Sequence, residues 1–212
     1  MIPLEKLYFH TGNWNEACAL IIKHHYSHRA PFNGNAMVGT LNKPGGLFGD
    51  YGEPIAAITM TPPTVNWREQ VIELSRLVKL DGIECSLTQL ISKACNYLRS
   101  RDFDLVISYA DQAHGHHGGI YQAASWNYHG RRRRICDGYF IGGRFVAKRQ
   151  CNAVYGTNSK RKLEAILGQR ITEHYDEGKH LYWRALKRSG EAKAKRLELE
   201  KNMYPKPDRE AT

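Results

Sequence analysis

The sequence predicts an α/β chain built on a mixed central sheet, and three observations carry that prediction. Leu87, Leu90, Ile91, Ala94, Cys95 and Leu98 recur at helical spacing and lay down one apolar stripe over residues 86–101. Leu105-Val106-Ile107 is an unbroken apolar run, the mark of a strand covered on both faces. A long strand over 70–80, that helix and a strand over 104–110 then make a βαβ crossover, which places two parallel strands side by side.

The remaining elements follow in order. Residues 4–10 read as a short strand. Asn13 is placed to cap a helix whose face carries Trp14, Cys18, Ile21 and Ile22. Carried forward, that face reaches His25 and His28, and Pro31 ends it. Residues 36–41 read as a strand before a Lys43-Pro44-Gly45-Gly46 turn, and 55–61 as an apolar strand stopped by Pro62-Pro63. In the strand over 70–80, regular alternation puts Ile72, Leu74, Val78 and Leu80 on one face. Arg76 falls among them and must be paired or sit at a bulge. Ser86 and Gln89 fit a capping box for the main helix. A polar loop over 112–119 leads to a helix from 120 to about 127. Beyond the run Arg131–Arg134, two strands flank Gly142-Gly143, a two-residue hairpin signal. A polar stretch starts at Asn152, with a short helix over 160–167. From Lys187 onward eight Lys and Arg and five Asp and Glu outnumber the apolar anchors, as in an exposed helix or frayed tail. The reading is therefore one main α/β domain over 1–170 and a basic, partly helical extension over 171–212.

Composition narrows the function class. The 212 residues are 42% hydrophobic and 10% aromatic, enough for one sizeable core. Thirty-one Lys and Arg against twenty-one Asp and Glu leave a net charge of +10, which favours a polyanionic partner, nucleic acid above all. No apolar run approaches the about 18 residues of a membrane span. The first residues, Met1 to Lys6, lack the basic and apolar regions of a secretion signal. Five scattered cysteines without a CxxC pair argue against a disulfide framework and a cysteine-only zinc site.

Four constellations can carry chemistry. Six of the ten histidines fall in two clusters, His24-His25-Tyr26-Ser27-His28 and Asp111-Gln112-Ala113-His114-Gly115-His116-His117. If the first helix continues, His25 and His28 share a face, and imidazoles with a carboxylate are a ligand set for zinc or iron. The same residues also read as polar loop or packed side chains. Asp111 closes a buried strand, and Tyr121 follows ten residues later. The pair can act as proton acceptor and donor, and Asp111 can equally cap a turn. The helix start at Ser86, Leu87 and Thr88 offers backbone amides to a phosphate. Arg131, Arg132, Arg133 and Arg134, with Arg144, Lys148 and Arg149, can form a basic ribbon. Trp126, Tyr128, Tyr139 and Phe140 are interleaved to stack on bases.

Several of these segments occur together in an order that resembles a known family. Glu73-Leu74-Ser75-Arg76-Leu77-Val78, Ser108-Tyr109-Ala110-Asp111, Gly118-Gly119-Ile120-Tyr121-Gln122-Ala123, Trp126-Asn127-Tyr128-His129-Gly130 and His25-Tyr26-Ser27-His28-Arg29-Ala30-Pro31 are similar to the motifs of the phage Mom DNA-modification proteins. The resemblance spans roughly residues 4–160. It implies a fold related to the Gcn5-related N-acetyltransferases (GNAT) and conversion of adenine in double-stranded DNA to N6-carbamoylmethyladenine, which shields phage DNA from host restriction. It also implies expression in the cytoplasm of an infected bacterium. In that frame Asp111 accepts the N6 proton, Tyr121 orients the base or acts as acid, and Arg76 and Ser75 hold the donor. His25 and His28, with Tyr26, are metal or donor ligands. The residue pattern departs from an ordinary acetyltransferase in one place. Asp81-Gly82-Ile83-Glu84-Cys85 carries one glycine and an acid where that fold binds the pyrophosphate of coenzyme A, which argues against acetyl-CoA as donor. Two other classes share parts of the pattern, an ordinary N-acetyltransferase acting on a protein or small amine and a non-catalytic basic DNA-binding protein.

Overall fold

The crossover unit organises the molecule. The computed structural model describes residues 8–12, 14–30, 37–44, 51–63, 71–83 and 86–206. Along them run β1 (Tyr8–Thr11), α1 (Trp14–His24), β2 (Met37–Pro44), β3 (Tyr51–Thr61), β4 (Val71–Lys79), α2 (Leu87–Ser100) and β5 (Leu105–Asp111). A 3-10 turn (Gln112–His114) leads to α3 (Gly119–Ala123), β6 (Asn127–Arg131), β7 (Cys136–Ile141), β8 (Arg144–Ala147) and α4 (Lys148–Tyr155). The chain continues through α5 (Lys160–Leu167), β9 (Thr172–Tyr175), β10 (Lys179–Ala185) and α6 (Arg188–Arg196). Seven strands form one sheet in the order β1-β2-β3-β4-β5-β10-β6, and three form a second, β8-β7-β9. Among the described residues β4 and β5 are the one parallel pair. Asn13, residues 4–7 of the first predicted strand, and Glu84 and Cys85 before α2 lie outside the described residues.

Both faces of the large sheet are covered, which is why β5 reads as a continuous apolar run. Val106 joins Ile72, Leu74 and the α2 stripe (Leu90, Ile91, Ala94, Cys95, Leu98) in one core. Its neighbours Leu105 and Ile107 face the other way, onto Val71, Trp183 and Ala194 of α6. On that second side α1 packs Ala17 and Ile21 against Val38, Ala57 and Val78.

The expected alternation of β4 fails at one residue. Thr59 pairs with Arg76 and Met60 with Leu74, so Ser75 is an extra, bulged residue. The bulge turns the strand over: Ile72 and Leu74 face α2, whereas Val78 faces α1. Arg76 thereby leaves the apolar face it was expected to interrupt.

Two further expectations change. The segment drawn as an extension from residue 171 contains β10, which lies inside the central sheet between β5 and β6. Its Leu181, Tyr182 and Trp183 are buried. The helix expected over 120–127 ends at Ala123, because Ser125 takes a positive φ of 59° and returns the chain into β6. By contrast, the Gly142-Gly143 hairpin forms as expected, both glycines at positive φ, between β7 and β8. On one face of that smaller sheet α4 and α5 enclose Tyr139, Cys151, Leu163 and Ile171.

Candidate active site

Parallel pairing between β4 and β5 stops at Leu74 and Ser108. Beyond that rung the Ser75 bulge carries β4 toward β3, while β5 continues alongside β10. The two strands splay, and the gap between them is a cavity of about 550 Å³. Ser75, Arg76, Tyr109, Asp111, Tyr26, His25, His116, Tyr121 and Leu87 line it. Most of the residues assigned to chemistry from sequence are thus brought together by one topological event, a parallel pair coming apart at its carboxyl end.

At the bulge Ser75 Oγ donates to the Thr59 carbonyl (3.3 Å), and Arg76 Nη1 donates to the Ser75 carbonyl (2.6 Å). Arg76 Nε is buried without a hydrogen-bond partner. Burial lowers the Arg76 pKa, and Tyr26 and Glu73 oppose the shift. An arginine with an unpaired buried donor is suited to an anionic or carbonyl group of a ligand.

Asp111 caps the turn, one of the two readings the sequence left open, and it also lines the cavity. Its Oδ1 accepts from the Ala113 amide (3.2 Å), capping the 3-10 turn, and its Oδ2 lies 2.8 Å from Lys179 Nζ. Each oxygen keeps a lone pair beyond these contacts. Lys179 was not singled out from sequence. Its register opposite Asp111 depends on β10, which local pattern did not reveal. Burial pulls the Lys179 pKa down, but the hydrogen bond and charge of Asp111 outweigh it, so the net shift is upward. Glu73 was missed as well. It is raised by burial, against Arg76, Lys179, Arg149 and Arg132, and it makes no hydrogen bond or ion pair among the described residues.

Tyr121 forms the inner wall. Its hydroxyl is 2.7 Å from Ser108 Oγ, which is also 2.7 Å from the Leu74 carbonyl, the last rung before the splay. Burial pushes its pKa up to about 12, so it stays protonated. Its ring packs against Trp126 and Tyr182, each with centroids 5.2 Å away. The adjoining loop leaves no room for a side chain at Gly118: a Cβ would fall 2.2 Å from the Tyr182 ring, and φ is +83°.

The two histidine clusters meet through Tyr26. Its ring stacks on His25 and on His114, both at 4.2 Å, with His116 at 5.3 Å. This arrangement differs from the expected ligand face. Helix α1 ends at His24, so His25 and His28 are not one turn apart on a helix, and His28 has a positive φ of 44°. His25 Nδ1 bonds Ser27 (2.8 Å), and His28 Nδ1 bonds the Ile22 carbonyl (3.0 Å). Among the described residues no three His, Cys, Asp or Glu side chains converge to hold a metal ion. The helical face on which His25 and His28 were expected to present an iron or zinc ligand pair is therefore not formed. Burial first, then the charges of Arg76 and neighbouring histidines, lowers His25 to about 4 and leaves it neutral at physiological pH.

At the start of α2 the predicted capping box does not form. Ser86 is the N-cap, but its hydroxyl bonds the Thr88 hydroxyl and makes no side-chain cap. Of the three residues expected to offer amides, Leu87 lines the cavity, and Ser86 and Thr88 are not among its lining residues.

The basic ribbon is dispersed rather than continuous. Arg131 and Arg134 reach Glu177. Arg132 Nη1 donates to the hydroxyl of Tyr109 (2.8 Å), a cavity residue. Arg133 and Arg144 are exposed and make no ion pair among the described residues. Lys148 lies over Tyr139, and Arg149 is close enough to act on Glu73. Of the aromatics expected to stack on bases, Trp126, Tyr128 and Tyr139 are buried, and Phe140 is exposed.

Comparison with known proteins fits this geometry. The model of the Mom protein family matches residues 6–206. This chain belongs to the Mom protein family. The Mom match extends past residue 170 and takes in β10, the strand that supplies Lys179. No curated protein matches the chain. Among solved structures, a GNAT family N-acetyltransferase (YhbS) from Escherichia coli in complex with CoA superposes with a TM-score of 0.51 at 12% identity, over 87% of this chain and 84% of that one. The IAA acetyltransferase from Bacillus cereus ATCC 14579 gives 0.50 at 8% identity, over 84% and 99%. At these identities the likeness establishes the fold: this Mom protein has a GNAT-type mixed sheet, mostly antiparallel and flanked by helices. No helix among the described residues is long and apolar enough to cross a membrane.

Proposed function

We propose that this protein is a DNA-modifying transferase that places a carbamoylmethyl group on N6 of adenine, as the Mom resemblance implies. The observation that carries the reading is the splayed β4–β5 cleft, in which Asp111, Arg76, Ser75, Tyr26 and Tyr121 meet within a chain matched to Mom over nearly its whole length. The N6 amine is a weak nucleophile and is paired inside duplex DNA, so the base must be extruded to react. Asp111, paired with Lys179 and accepting from the Ala113 amide, takes the N6 proton as the nitrogen–methylene bond forms and the bond from that carbon to the rest of the donor breaks, the donor's leaving group departing with the electron pair. Tyr26, with the His25, His114 and His116 rings around it, forms the aromatic side of the cleft against which the extruded base packs. Tyr121, protonated throughout, fixes the inner wall. Arg76, with its free Nε, takes the carbonyl or anionic end of the donor. The amides of residues 86–88 take a phosphate if the donor carries one, as the CoA-bound GNAT structures suggest.

Protection of phage DNA from restriction and action in the bacterial cytoplasm follow from the same reading. Its test is mass spectrometry of nucleosides from bacteria expressing the chain. The expected product is deoxyadenosine heavier by one carbamoylmethyl group. Unmodified DNA accompanied by acetylated amine or protein would establish an ordinary N-acetyltransferase. Unmodified DNA bound by an inert protein would establish a binding module.

A further inference from the structure

The smaller sheet has one face packed on α4 and α5 and one open face, and the open face is aromatic. Phe140 and Phe145 are direct cross-strand partners, 40% and 47% exposed. His174 lies on the same face, opposite Gly138. The three rings form an edge-to-face cluster: Phe140–Phe145 at 6.2 Å, Phe140–His174 at 5.6 Å and Phe145–His174 at 4.8 Å. Two local features fix it. A register shift between Cys136 and Gly138 makes Asp137 a bulged residue and turns its carboxylate onto His174 Nδ1, 2.6 Å away. Gly138 lets Phe145 lie flat, since a Cβ there would meet the Phe145 ring at 2.4 Å.

Large apolar rings held in water by a rigid scaffold mark a binding surface. Charge identifies the partner. Residues 131–178, which include all three strands of this sheet, carry eleven Lys and Arg against five Asp and Glu, more than half of the chain's excess of +10. Exposed Arg144 adjoins Phe145, and exposed Arg170 comes two residues before Thr172, the partner of Phe140. A second copy docking through this face would bring two such basic segments together, which like-charge repulsion opposes. A phosphate backbone is attracted, and bases stack on rings without sequence preference. Stacking on an exposed ring needs a base whose own face is free, as in a single strand and not in an intact duplex. The module also adjoins the cleft, because Arg132 holds Tyr109 and Arg149 of α4 acts on Glu73.

We propose that Phe140, Phe145 and His174 form a stacking platform for unpaired nucleobases of a DNA strand whose phosphates are taken by the flanking arginines. The platform is separate from the cleft and does not depend on what the cleft transfers. The test uses the full chain without donor. A short single strand containing 2-aminopurine is titrated by anisotropy and by fluorescence, beside the same sequence as a blunt duplex. Replacing Phe140 and Phe145 together by alanine should weaken single-strand binding about 5- to 100-fold and abolish the 2-aminopurine quenching. Duplex affinity and thermal unfolding should stay close to wild type, and the conservative Phe145→Tyr should retain quenching. Equal single-strand affinity and quenching in the double variant would overturn the platform. So would a wild-type dimer that the double variant dissolves, because the face would then serve a second copy. Binding is read without turnover, so failure to modify adenine leaves this result standing.

Discussion

The two sheets of this molecule treat the same kinds of side chain in opposite ways. The seven-stranded sheet buries its aromatics, with Trp126, Tyr128, Tyr182 and Trp183 all inside, and gathers a few charged groups into one splayed cleft. The three-stranded sheet exposes Phe140 and Phe145 and carries most of the excess positive charge on its strands, helices and connections. In the first, polar groups are held by neighbours and aligned for chemistry. In the second, cations and rings face outward, where they can follow a polymer. The difference teaches that a run of aromatics and arginines that reads as one ribbon in the sequence is not one surface: Trp126, Tyr128 and Tyr139 are wall, whereas Phe140, Arg133 and Arg144 face outward.

Variants that separate the two regions sharpen this contrast. The largest effect is expected at Asp111→Asn, which keeps the turn cap but removes the proton acceptor and the charge beside Lys179. Adenine modification should fall roughly a hundred- to ten-thousand-fold, with DNA retention in a gel-shift assay unchanged. Near-wild-type modification would reduce Asp111 to its capping role.

A smaller effect belongs to His25. It titrates at about 4 in the fold against 6.5 for the ordinary group. Between those values the unfolded chain binds a proton that the folded chain does not. The stability due to neutral His25 is therefore complete above about pH 6.5 and lost as the pH falls to about 4. It amounts to about 3 kcal/mol. Urea unfolding at several pH values, beside His25→Gln, should show a steeper acid loss in the wild type.

The smallest effects concern single arginines of the basic segment, and the structure ranks residues that the sequence treated alike. Arg133→Ala and Arg144→Ala should each flatten the slope of log affinity against log salt by about 0.9. Arg131→Ala and Arg134→Ala should change it less, because those side chains already reach Glu177. Equal changes at all four would mean that Glu177 lets go when DNA binds.

Much of the cleft was legible because it is made locally. The helical stripe of α2, the apolar run of β5 and Asp111 at its end lie within a single crossover, where spacing alone fixes direction and adjacency. Arg76 on an apolar face could be read as needing a bulge, and the bulge exists. What sequence reasoning lost depends on distant pairing. Lys179-His180-Leu181-Tyr182-Trp183 is buried on both faces, so it lacks the alternation of a half-exposed strand, and nothing local says that it lies beside β5. The histidines were misjudged for a related reason. The apolar face of α1 runs on in the sequence, but the helix stops at His24, and the rings beyond it answer to Tyr26 and His114 rather than to helical spacing. Phe145 and His174 escaped notice because their common face arises from pairing across three strands.

The position of β10 bears on when the protein becomes competent. Strand β5 lies between β4, made just before it, and β10, made well after it. A ribosome that has just released residue 170 has already produced every segment by which the family resemblance was seen. Yet β5 still has an open edge, Asp111 has no Lys179, and β6 has no strand to join it to the sheet. Pairings this distant in sequence close late and slowly. The cleft therefore cannot be complete until β10 has been made and has paired with β5.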